Sequence, residues 1–204
     1  EIASFNYPPK DVWILANVMD GVSSELASDS MVTFVFYSIV SGNFKFYSKE
    51  NGDSDRNPFL EIIAYSDILA ADDTLKIYPS DDTYVRGLAE HRNTIYGSDD
   101  LVYYKKVDPE VARIGFLKFD LSAIPDTFKS ATLHVLASRE DQSGVNYIAF
   151  SQDDDWNEET RTWNNTFGNV NDKTRIATKY VGTGSRNFVV EDASAFKAGE
   201  EVIV

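Results

Sequence analysis

The sequence has no cysteine. That excludes disulfide staples, thiolate zinc sites and cysteine nucleophiles, and leaves the compartment open. Histidine is scarce too: His91 and His134 are the only two, so no paired-histidine metal motif can form. Positive charge is short, with 19 Lys and Arg against 33 Asp and Glu and a formal charge of −14. Such a surface repels phosphate backbones, which argues against nucleic acid as a partner. No apolar run is long enough to span a bilayer, since the closest, Met31 to Val40, has strand length. There is no Gly-x-Ser-x-Gly elbow and no phosphate-cradling glycine loop. Acidic residues are so abundant that their adjacency says little about general acid–base work, and the chain is expected not to be an enzyme.

What the chain does have is apolar and aromatic residues, 43% and 13% of the total, including 11 Tyr and 13 Phe. These suit sheet faces better than a helical bundle. The best anchor is the stretch 110–125. Leu117, Phe119 and Leu121 fall on one side of an extended strand, Lys118 and Asp120 on the other, and Ser122 to Pro125 stops it. A second strand follows over 131–138, with Leu133 and Val135 facing one way. Val32 to Val40 is the most apolar strand, with Phe34 and Phe36 on one face and Val35, Tyr37 and Ile39 on the other. Further strands are expected at 12–18, 44–48, 59–65, 74–78, 101–107, 145–151, 176–181 and 187–190, with a turn or one helical turn at 20–26. Many short strands between turn signals predict an all-β fold, a jelly-roll β-sandwich of antiparallel sheets.

The order of the pieces carries a resemblance. Pro79-Ser80-Asp81-Asp82-Thr83-Tyr84-Val85-Arg86-Gly87, Tyr96-Gly97-Ser98, Phe116 to Pro125, Ser130-Ala131-Thr132-Leu133, Trp156-Asn157-Glu158 and Thr162-Trp163-Asn164-Asn165 follow one another. As an ordered set, nearly covering 72–204, they resemble the DNRLRE domain, a disaggregatase-related group that includes a family of carbohydrate-binding modules. Members of that group end on strands that this chain places at its start: Val32-Thr33-Phe34-Val35-Phe36, Lys45 to Gly52, and Arg56 to Ile62. Lys49 replaces the usual arginine, and Asn57 is inserted before the proline. Asp11 to Leu15 also resembles Asn187 to Glu191. The division implied is residues 1–65 as the closing strands of a sandwich, 66–73 as linker, and 74–204 as a body lacking its own last strands.

A sandwich without its last strands exposes an apolar inner face and an unpaired edge. Val32, Phe34, Phe36, Phe46, Phe59 and Ile62 are the residues that would fill that gap. Three arrangements are open. The opening third can fold back into its own body, complete a neighbour's body by strand addition, or belong to a fragment of a tandem array. Exchange between neighbours is head-to-tail and does not close, so it builds a homo-polymer.

The resemblance also implies similar modules that hold structural calcium. Asp81, Asp82 and Asp120 are the first candidates as ligands, Asp99 and Asp100 the loop alternatives, and an acidic surface without an ion is the competing reading. Asp153 and Asp155 suit a rim better than an ion. For a polysaccharide partner, Tyr84, Arg86, Arg92 and Tyr96, with Tyr103 and Tyr104, supply aromatic rings and planar donors suited to uronate carboxylates. Against that, Tyr84 suits the core and Arg86 an internal ion pair. Trp156 and Trp163 are expected to be fold residues, because the family pattern repeats them. Asn164-Asn165-Thr166 is an N-glycosylation acceptor sequence. The chain opens on Glu1 rather than Met, as a processed secreted product or a trimmed chain does, and an extracellular or cell-surface location is expected. The leading expectation is a structural subunit of a filament, sheath or surface layer. The alternative is a carbohydrate-binding module.

Overall fold

Alternation along each strand decides which residues enter the core. The computed structural model describes residues 3–39, 42–65, 74–105, 111–138, 144–151 and 154–167. The strands are β1 (Ala3–Asn6), β2 (Trp13–Asn17), β3 (Met31–Ser38), β4 (Phe44–Tyr47), β5 (Phe59–Ala64), β6 (Thr74–Ile77), β7 (Asp81–Arg86), β8 (Leu101–Tyr104), β9 (Arg113–Asp120), β10 (Phe128–Leu136) and β11 (Val145–Ser151). Among the described residues two α-helices accompany them, α1 (Met19–Leu26) and α2 (Trp163–Phe167). One sheet has the order β1-β11-β3-β9-β7, a second β2-β10-β5-β6, and β4 pairs with β8 in a short ribbon. All pairings are antiparallel. The chain crosses between sheets at most connections, as a jelly roll does.

The core lies between the sheets. Val32, Phe34 and Phe36 from β3, Leu117 and Phe119 from β9, Leu60 and Ile62 from β5, and Leu133 and Val135 from β10 meet there. The five-stranded sheet is also covered on its outer face. Val35, Val85, Ile114 and Phe116 pack there beneath Trp156 and Trp163 of the 154–167 segment. The Trp156 indole N–H donates to Thr33 Oγ1 at 2.9 Å, and Arg161 lies over both Phe116 and Trp156. Cover on both faces explains why β3 and β9 read as near-continuous apolar runs. Both tryptophans are fold residues, as expected.

The opening third folds back into the body. β3 sits between β9 and β11, β5 between β10 and β6, β2 pairs with β10, and β4 with β8. Val32, Phe34, Phe36, Phe46 and Ile62 are fully buried. Each such burial is worth about 1.5–3 kcal/mol, so the five together contribute on the order of 10 kcal/mol, comparable with a domain's whole stability. All these pairings are made within one chain. The head-to-tail polymer draws no support from them, because the gap in the body is already filled. Phe59 differs from the other five residues: Leu60 and Ile62 point inward, so Phe59 stands on the outer face of its sheet. The expected linker 66–73 and the strands at 176–181 and 187–190 lie outside the described residues.

Candidate functional site

The edge strand β7 ends in Tyr84-Val85-Arg86, and its period of two puts Tyr84 and Arg86 on one face. In the β7–β9 register Arg86 stands opposite Arg113, and Tyr84 opposite Gly115. The chain leaves β7 through a short 3-10 turn, Ala89–His91, and returns over its end, carrying His91 and Tyr96. Tyr96 stacks on Tyr84 with centroids 4.3 Å apart, and Tyr84 is tilted against Tyr103 of β8 at 5.1 Å.

Cations surround this ladder of three rings. The Arg86 guanidinium lies 5.9 Å from the Tyr96 centroid, and its Nη1 donates to the Tyr96 hydroxyl at 3.4 Å. Arg113 and Lys45 lie 5.4 Å and 5.5 Å from the Tyr103 centroid. Arg113 also donates to Asn43 Oδ1 at 2.9 Å. The Tyr96 hydroxyl is 3.0 Å from His91 Nδ1. Among the described residues, neither Arg86 nor Arg113 has a carboxylate within ion-pairing distance. Burial, and then the like charge of Arg86, hold the Arg113 pKa below its ordinary value. Tyr84 donates to Asp99 Oδ2 at 2.7 Å; burial and that carboxylate push its pKa up, so it stays a neutral phenol. Arg86 and Arg113, unpaired by any carboxylate among the described residues, concentrate positive charge on a chain of charge −14, an arrangement chemically suited to an anion.

Of the four expected sugar-contacting residues, Tyr84, Arg86 and Tyr96 come together. Arg92 is tied to the loop instead, its Nε donating to the Gly87 carbonyl at 2.6 Å. Tyr84 is 5% exposed and braces Tyr96 and Tyr103 rather than offering a ring face. Tyr104 is fully buried in the core. Lys45, His91 and Asn43 carry no motif in the sequence that marks them for this site. Arg113 had a legible signal, because its parity with Leu117 and Phe119 sets a cation on the strand face that otherwise enters the core.

The carboxylates expected to bind calcium are dispersed. Asp81 pairs with Lys118 at 2.9 Å, and Asp82 accepts from the Lys49 amide at 2.6 Å. Asp120 is exposed and accepts from the Ser122 amide at 2.9 Å. Asp82 does approach Glu50 and Glu158, their oxygens lying within 4.8 Å of one another. The Lys49 ammonium bridges Glu50 and Glu158, so a cation there would have to displace it. Of the loop alternatives, Asp99 holds Tyr84, and the Asp100 carbonyl accepts from the Ser48 amide. Asp155 is exposed, and Asp153 lies outside the described residues. Asn164 lies in α2, where its side-chain amide donates to Asn93 Oδ1 at 2.7 Å.

Residues 73–191 match carbohydrate-binding module family 96. The chain belongs to that family. No curated protein and no solved structure matches it. The match bears on the carbohydrate-binding part of the resemblance in the motifs, not on the DNRLRE name. In this member of family 96 the matched span begins at β6, yet β3 and β5, from outside it, sit inside the two sheets. Lys45 and Asn43, also from outside it, complete the cluster around Arg113.

Proposed function

We propose that the protein is a non-catalytic carbohydrate-binding module, acting outside the cell, that recognises an acidic, uronate-containing polysaccharide at the Arg86 and Arg113 pair. The observation carrying this reading is the pair Arg86–Arg113, set opposite each other with no carboxylate among the described residues within ion-pairing distance. Family membership supports carbohydrate as the ligand class. Charge narrows the class further: planar guanidinium donors grip a carboxylate through two parallel hydrogen bonds, and Tyr96 and Tyr103 supply apolar faces beside them.

The test is affinity electrophoresis and calorimetry with polygalacturonate, using fully methyl-esterified pectin as the control with capped carboxylates. Polygalacturonate should bind and the ester should not. Each charged hydrogen bond is worth about 1.5–3 kcal/mol, so Arg86→Ala and Arg113→Ala should each weaken binding by about tenfold or more. Equal binding of acid and ester, or binding unchanged in the double variant, would remove the cluster from consideration.

A further inference from the structure

A cleft of about 220 Å³ opens on the outer face of the β2-β10-β5-β6 sheet. An antiparallel sheet with one solvated face is expected to be polar there. This one presents a row of four rings instead. Phe59 and His134 are registered partners on β5 and β10, stacked at 4.3 Å. Trp13 on β2 meets Phe59 edge-on at 5.4 Å, and Tyr78, just past β6, lies 6.4 Å from Phe59 on the other side. Phe59 is covered by His134 and by Lys76, whose ammonium lies 4.5 Å from its centroid. Tyr78 is 53% exposed and Trp13 half-buried, so these two rings offer surface to a ligand.

Two polar side-chain atoms beneath the cleft lack a hydrogen-bond partner among the described residues. Asn57 Oδ1 and His134 Nε2 are buried and make no hydrogen bond, and both residues line the cleft. Glu61 stands 3.7 Å from His134 Nε2, beyond hydrogen-bond reach. Asn57 Oδ1 and His134 Nε2 both lie beneath the cleft floor, so the polar groups open to a sugar hydroxyl, both donor and acceptor, are those of the exposed Ser54, Asp55 and Lys76 in its wall. The charge differs from that of the first cluster. Lys76 is opposed by Asp55 in the cleft wall and by Glu61 beside His134, so no excess of positive charge awaits a uronate. Aromatic faces with mixed donors and acceptors and no net cation suit a neutral sugar.

We propose that this cleft is a second carbohydrate site, which takes an uncharged pyranose ring against Trp13 and Tyr78. It goes beyond the reading above, and the two sites can be tested separately. Intrinsic fluorescence is a selective probe, because Trp156 and Trp163 are only 9% and 5% exposed. The full chain would be titrated with neutral hexasaccharides of β-linked glucose, mannose and xylose, in parallel with polygalacturonate. At least one neutral hexasaccharide should shift the emission with a millimolar or tighter Kd. Trp13→Ala and the more exposed Tyr78→Ala should each weaken it by about tenfold in affinity electrophoresis. Both variants should keep polygalacturonate binding, and the Arg86→Ala/Arg113→Ala double variant should keep the neutral ligand. The proposal fails if no neutral hexasaccharide binds, if binding survives both aromatic substitutions, or if it disappears with the two arginines. Failure of polygalacturonate alone would count against the first site and leave this one standing.

Discussion

Arg86 and Arg113 face each other directly across the β7–β9 pair, two cations where a fold selected for stability alone would set opposite charges. Like charges in registered positions are destabilising, and an opposed pair is worth roughly 0.2–1 kcal/mol either way. Arg86→Gln keeps a polar side chain and removes the repulsion. It should hold or raise the thermal unfolding midpoint while costing about tenfold or more in polygalacturonate affinity. Wild-type affinity should also fall as salt rises, and the variant's should fall less steeply. A variant that is both less stable and fully able to bind would show that the pair serves the fold.

Local alternation carried much of the fold. Phe34 and Phe36 on one side of β3, with Val35 on the other, follow from a period of two and are found so. Parity also shows where the reading failed. Phe59 and Ile62 differ by an odd number, so they cannot share a face, and an aromatic residue suits the outer face as well as the core. Tyr104 and Tyr103 divide in the same way: Val102 and Tyr104 turn inward, leaving Tyr103 beside the arginines. The cationic cluster depended on pairings that no local pattern states, β4 with β8 and β7 with β9. Lys49 meets Glu158 from 109 residues away, which composition and spacing cannot show.

Gly97 sits where the loop over the site passes the 154–167 segment. A Cβ added there would lie 2.5 Å from the Glu158 carbonyl oxygen, a backbone atom with little room to move. Gly97→Ala should therefore cost about 1–3 kcal/mol in urea denaturation. It should also weaken polygalacturonate binding, because Tyr96 is its neighbour in sequence. Gly52, whose added Cβ would meet nothing within 4 Å, is the control, and Gly52→Ala should change neither measurement.

His134 gives the module an acid-side sensitivity. Burial holds its pKa below the ordinary histidine value of 6.5, with Glu61 opposing and Lys76 reinforcing the shift. The unfolded chain then takes up the proton first. The contribution is fully present above the unfolded pKa of about 6.5, and it is lost as pH falls through the lower, folded value. His134→Gln should flatten this part of the profile, so the difference in urea midpoint between neutral and mildly acid pH should shrink relative to wild type. An unchanged difference would show that His134 titrates alike in both states.

Lys49 is the single cation that the described residues place among three crowded carboxylates, bridging Glu50 and Glu158 above Asp82, which is 1% exposed. Burial works against the ammonium, but its hydrogen bonds to Glu158 and Glu50 outweigh that and raise its pKa. Asp82 is pushed the other way in stability terms: burial, helped by the charge of Glu50, lifts its pKa despite the hydrogen bond from the Lys49 amide. An acid with a raised folded pKa contributes stability at low pH and loses it as pH rises through that value. Lys49→Met keeps the chain length and leaves the three carboxylates facing one another. Breaking a buried pair costs about 3–5 kcal/mol, and the lower end applies because the Lys49 and Glu158 side chains are 22% and 18% exposed. The loss should be largest at neutral pH and narrow on acidification, as the carboxylates take up protons and the missing cation ceases to matter. Adding Asp82→Asn should recover part of it at neutral pH. Urea denaturation of wild type and both variants across the acid-to-neutral range makes the comparison. A gap between wild type and Lys49→Met that stays constant with pH would mean that Lys49 stabilises through its packed methylene stem and not through its charge.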